Sequence, residues 1–131
     1  MRLIAVAAAS SALLACAAAQ ATDVKEVGFR PGGRPPAGPF DLVVSFGSFA
    51  SGIDAEAYDA VIAHVKASGT PTSAVVWAWG REGERSLGLT FAADDKRDAF
   101  ACELKAVADQ ARAGRSASSA PAPTFEAGGG Q

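Results

Sequence analysis

The chain is poor in the residues that most often carry chemistry. One histidine and two cysteines in 131 residues are too few for a soft-metal site of the usual spacing, so neither a metal nor another cofactor is expected. Neither sign of charge is in excess, with 12 Lys and Arg against 14 Asp and Glu for a net charge of −2. Neutralising phosphates takes a clustered basic surface, which excludes nucleic acid as a partner. The hydrophobic fraction of 49 % is swollen by alanine. The longest apolar run lies at the N-terminus and falls short of the roughly 20 residues that span a bilayer.

That run reads as an export signal. Met1-Arg2 supplies a positive charge, Leu3 to Leu14 is almost wholly apolar, and small residues follow from Ala15 to Ala21. A basic start, about a dozen apolar residues and an A-x-A ending describe a secretory signal peptide over residues 1–21. Two processing routes are open. Ala19-Gln20-Ala21 suits a leader peptidase that leaves Thr22 first, giving a periplasmic or secreted protein. Leu13-Leu14-Ala15-Cys16 resembles a bacterial lipobox, in which Cys16 is lipidated and holds the chain at the outer membrane. A lipid on Cys16 is the one membrane attachment expected. Removing residues 1–21 takes away Arg2 and no acid, moving the net charge from −2 to −3.

Residues 22–39 form a lead-in, with Val24 to Phe29 a weak edge strand and Arg30 to Pro39 a Pro/Gly linker that cannot join a ladder. Residues 113–131 are mostly Ser, Ala, Pro and Gly, with Phe125 the lone large apolar side chain. Such a tail buries too little apolar surface to offset chain entropy and reads as disordered.

Residues 40–112 carry the periodic pattern. Leu42, Val44 and Phe46 alternate with Val43, Ser45 and Gly47 as a first strand. Ser51 then reads as the N-cap of a helix whose apolar face is Tyr58, Val61, Ile62 and Val65, stopped at Ser68-Gly69-Thr70-Pro71. Ala74 to Trp79 is a second strand. The loop Gly80 to Glu84 turns it into a third, in which Leu87, Leu89 and Phe91 alternate with Ser86, Gly88 and Thr90. Asp94 caps a last helix with a core face of Phe100, Leu104, Val107, Ala108 and Ala111. A right-handed crossover leaves a gap between the first two strands, and the hairpin returns the third into it. The expected fold is therefore α+β: a βαββα domain with a three-stranded antiparallel sheet and two helices on one face. It resembles a ferredoxin-like split βαβ sheet lacking its last strand, an architecture that implies no particular function.

A core this small contributes rarely more than about 3–5 kcal/mol. Placing the large residues beneath the helices puts Val75, Trp77 and Trp79 there with the leucines. The reverse face then shows Val43, Ala74, Val76 and Ala78 among small residues, a bland surface where a solvated sheet would carry charges. Association with a second copy or with an envelope protein through that face is the leading expectation, with no catalysis of its own. The alternative is binding of a small ligand or glycan by Trp77 and Trp79, which share a strand face; the plainer reading is that they fill the core. An unrecognised enzyme is a weaker third.

Other candidates have bland readings beside them. Cys102 falls opposite the apolar face of its helix, which suits an intermolecular disulfide or an isolated surface thiol. His64 lies on the flank of the first helix and five residues from Asp59, which forms no ligand pair. Asp94 and Asp95 fit capping and the helix dipole better than a metal. The small-residue loop Gly47 to Gly52 has amides that suit an anion, without the lysine of a phosphate-binding loop.

Overall fold

A computed structural model describes residues 21–115 and 120–128. The expected leader up to residue 20, with Cys16, and parts of the tail lie outside the described residues. The elements are β1 (Val24–Val27), a 3-10 turn at Pro31–Gly33, β2 (Leu42–Phe46), α1 (Ala55–Ala67), β3 (Ser73–Ala78), β4 (Arg85–Thr90), α2 (Asp94–Arg112) and β5 (Thr124–Ala127). They make an α+β fold with two helices and a mixed five-stranded sheet in the order β1-β3-β4-β2-β5. β1 pairs parallel with β3, and the other neighbours are antiparallel. As expected, β4 lies between β2 and β3. The expected sheet was three-stranded; the chain's two flanks each add an edge strand.

Both helices cover one face. Val61 and Val65 of α1 and Phe100, Leu104 and Ala108 of α2 meet Leu42, Val44, Phe46, Leu87 and Leu89 in one buried cluster. The 3.6-residue and 2-residue periods read from the sequence are the ones that build it. Two helix starts differ from expectation. Asp54, not Ser51, caps α1 by accepting the Ala57 amide at 3.1 Å. Ala93 precedes α2 without a side-chain cap, and Asp94 and Asp95 stand in its first turn, where their charge suits the positive end of the helix.

The largest correction concerns β3. Ala74 faces Leu89 and Val76 faces Leu87 across the hairpin, so the small residues of β3 lie under the helices and the large ones point away. Ala74 and Val76 are buried in the core. Val75, Trp77 and Trp79 occupy the reverse face with Val43, Ser45, Ser86 and Gly88. The cause is loop length. The Trp79 amide donates to the Glu84 carbonyl at 2.9 Å, closing a four-residue loop where the sequence suggested five. A slip of one residue exchanges the faces of a strand.

The reverse face is accordingly not bare. The segment from Arg30 to Asp41 returns across it as a strap. The Arg30 amide donates to the Ala78 carbonyl at 2.8 Å, and the Asp41 amide to the Leu89 carbonyl at 2.8 Å. Between these ends the Phe40 ring stacks on Trp77 at 5.5 Å and lies over Gly88, where a Cβ would sit 2.5 Å from the ring. Trp77 is left 1 % exposed. A Cβ on Gly33 would reach the Trp79 indole at 3.8 Å, and the indole Nε1 donates to Ser86 Oγ at 3.0 Å. Ser86 in turn pairs with Ser45 Oγ at 2.9 Å.

The tail also departs from expectation. Phe125 pairs opposite Val44 and packs against the core, with Lys105 above its ring. The Gly128 amide donates to the Asp41 carbonyl at 2.8 Å. A Cβ on Gly128 would overlap the Phe40 carbonyl, so a glycine is required where tail meets strap. One apolar residue in a polar segment gives little periodic signal, which is why the strand was not legible.

Phe40→Ala should destabilise the fold by about 2 kcal/mol, since a half-buried ring loses packing and stacking. Tryptophan emission should shift to the red as Trp77 is uncovered. An unchanged emission maximum would show that the strap is not what shields the indole.

Candidate functional site

Because β1, β2 and β3 run in the same direction, their C-terminal ends share one end of the sheet. Among the described residues two large hydrophobic side chains are exposed, and they follow two of those ends. Phe29, 58 % exposed, follows β1, and Phe49, 72 % exposed, follows β2. Three strand spacings of about 4.8 Å separate β1 from β2, so the rings rise from positions on the order of 14 Å apart across the sheet.

The loop that carries Phe49 is tightly specified. Phe46 is buried at its start, and Ile53 packs against the core at its end. Between them Ser48 Oγ accepts the Ala50 amide at 3.0 Å and the Gly52 amide at 2.9 Å. Those amides are the ones the sequence suggested for an anion, and the serine already occupies them. Ala50 has φ +94°, the single non-glycine at positive φ among the described residues. Such a residue costs on the order of 1–3 kcal/mol and persists only where its surroundings impose it.

The base of the loop is held by a buried carboxylate. Asp54 is 3 % exposed. Besides the Ala57 amide, its oxygens accept from Arg112 Nη1 at 2.7 Å and from Arg115 Nη2 at 2.8 and 2.9 Å. Arg115 Nε lies 3.2 Å from Glu56 Oε2, and Arg112 Nη2 donates to the Ala120 carbonyl at 3.3 Å. The start of α1, the end of α2 and the chain beyond it are thus tied to one residue. Burial pushes the Asp54 carboxyl upward, but the Ala57 amide and the Arg115 and Arg112 guanidiniums outweigh it and hold it below the usual value of 3.8. On the neighbouring hairpin Arg85 lies 5.2 Å above the Tyr58 ring and donates to its hydroxyl at 3.4 Å. That bond, opposed by burial, raises the guanidinium above its usual range.

The residues singled out from the sequence do not converge on one site. Val43 is half-buried on the strap side, Ala74 and Val76 are in the core beneath the helices, and Ala78 is half-buried at the end of β3. These four share no surface. Trp77 is roofed by Phe40, and Trp79 is half-buried with its Nε1 bonded, so no open aromatic platform exists. Cys102 is a free, exposed thiol. His64 lies tilted against the Phe100 ring at 5.6 Å and 3.8 Å from Glu103. Among the described residues no group of three or more His, Cys, Asp or Glu is placed to hold a metal. No helix there is long and apolar enough to cross a membrane. Phe29 and Phe49 were missed because single aromatics among small and polar residues carry no periodic signal.

Compared with known proteins, the chain matches no family model, and no curated protein or solved structure is significantly similar to it.

Asp54→Asn keeps an acceptor for the Ala57 amide but removes the charge, and should cost about 2 kcal/mol at pH 7. A lowered carboxylate stabilises the fold above its unfolded value and loses that effect as pH falls through the folded one. The gap between wild type and variant should therefore close below about pH 4 in urea melts. Ala50→Gly should stabilise by about 1 kcal/mol, relief of the positive φ exceeding the added chain entropy. A loss of stability would show that the loop is not strained there.

Proposed function

We propose that the protein is a small exported domain of the bacterial envelope that acts by association, with itself or with another envelope protein, and performs no chemistry of its own. Its leader is residues 1–21, and the docking surface is the end of the sheet that carries Phe29 and Phe49, in place of the sheet face suggested by the sequence. The observation that carries this reading is Phe49, 72 % exposed on a loop fixed by Ser48 and Asp54. A large aromatic held outward on a strained, pinned loop incurs a cost in the free chain without relieving any contact there. Buried in a partner's pocket, such a ring dominates an interface, and its rigidity spares ordering entropy on binding. The finer architecture is compatible with this reading but does not by itself imply it. β2 to β5 with the two helices follow a ferredoxin-like βαββαβ order, to which β1 adds a strand at one edge.

The test is photo-crosslinking with benzoylphenylalanine at positions 29 and 49 in the cells that make the protein. A discrete adduct is expected at both, of twice the chain's mass for self-association and of another mass for a different partner. Position 99, exposed on α2, should give none. Chains labelled at 29 and 49 that remain as unlinked as those labelled at 99 would overturn the proposal.

A further inference from the structure

We infer that the α-ammonium of Thr22, released by cleavage after Ala21, seats in a preformed carbonyl socket at the C-terminal end of α1 and completes the fold. The inference rests on the leader-peptidase route of the export reading. Hydrolysis of the Ala21–Thr22 bond gives the hydroxyl of water to the Ala21 acyl group and a proton to the Thr22 nitrogen, which takes a further proton from solvent at neutral pH.

Ala21 is exposed, whereas Thr22 is 8 % exposed. The Thr22 backbone nitrogen lies 3.1 Å from the Ser68 carbonyl oxygen and donates to it. Its hydroxyl donates to the same carbonyl and lies 3.4 Å from that of Pro71. A terminal residue that only trailed from β1 would have no reason to be buried and bonded to a loop 46 residues away.

The acceptors have the right character for a cation. Ser68 is the C-cap of α1, so its carbonyl stands where the helix dipole is negative and where a positive charge is stabilised. A peptide nitrogen brings one proton to this place, and an ammonium brings three and a charge. The titratable side chains nearby are Asp23 and Lys25 on the same segment and His64 and Lys66 in the last turn of α1. The loop from Ser68 to Ser73 contributes none. The Thr22 nitrogen thus meets the Ser68 carbonyl, with the Pro71 carbonyl beside it on the hydroxyl, and Asp23 is the one acidic residue among these neighbours.

Three purified chains ending at Gln131 separate the charge from the hydrogen bond: one beginning at Thr22, the same chain N-acetylated, and one beginning at Ala21. The last two keep the Thr22 N–H but lose the charge there. Below pH 8 the free Thr22 chain should melt about 4 °C above both others. The gap should close as pH rises past the α-amino range, because a cation favoured in the fold stabilises only while protonated. Equal melting curves at pH 6 would overturn the inference even if cleavage occurs after Ala21. The N-terminal mass of the protein from cells tests the export route separately. A lipidated Cys16 would overturn the inference by removing the cleavage it needs, whatever the melting curves show.

Discussion

The arrangement of both faces of the sheet depends on one hydrogen bond, from the Trp79 amide to the Glu84 carbonyl. It fixes a four-residue hairpin and thereby the parity of pairing between β3 and β4. With that parity, Ala74 and Val76 share a side with Leu89 and Leu87, and α1 and α2 lie on a surface whose β3 part is small. The two indoles are then turned to the other side, where a sheet of this size would have an aromatic surface open to water. That surface requires a cover, and the Pro/Gly segment supplies it through Phe40. A longer hairpin by one residue would leave a strap with nothing to roof and a helix layer lifted by tryptophans.

Such dependence explains what could be read from the sequence and what could not. Strands β2 and β4 and both helices were legible because each buries a face through a repeating pattern: Leu42-Val44-Phe46, Leu87-Leu89, Val61-Val65 and Phe100-Leu104-Ala108. Their order was legible because the crossover and the hairpin leave β4 one place to go. The face of β3 was not, since Val75, Val76 and Trp77 are all apolar and periodicity is silent where both neighbours are hydrophobic. Only the exact loop length decides, and Gly80-Arg81-Glu82-Gly83-Glu84 admits closure at either Glu84 or Arg85. The strap and β5 were illegible for a different reason. Each is held by single contacts, Phe40 on Trp77 and Phe125 opposite Val44, and by backbone bonds that any sequence can make.

The same logic governs the candidate site. The sequence points to Ser51 as the cap of α1, whereas Asp54 is the cap and also the anchor for Arg112 and Arg115. No local pattern joins residues separated by 58 and 61 positions. Its consequence is mechanical. With α1 fixed at its first residue and Phe46 buried on the other side, the intervening loop has few ways to close, and Ala50 takes the positive φ. Phe49 stands outward because the anchors on both sides leave it no route to the core.

The two segments that flank the central domain are thus treated alike. Thr22 is bonded to the loop after α1, and Gly128 to Asp41 at the end of the strap, so the segments that composition alone would release to solvent are used to close the sheet. For a core of this size that use is physically consequential. Each edge strand adds a row of backbone pairs to a neighbour already ordered by the helices, so its bonds form with the partner's share of the conformational entropy already spent. The cost is that both edges are short and held at their tips, which makes them the first places to open. A domain so built has its stability concentrated in the Asp54 clamp and the core beneath the helices. Phe49 projects from the most constrained part of that arrangement, and Phe29 from the more weakly held edge beside it. If both rings dock, the first would set the geometry of the complex and the second would adapt to it.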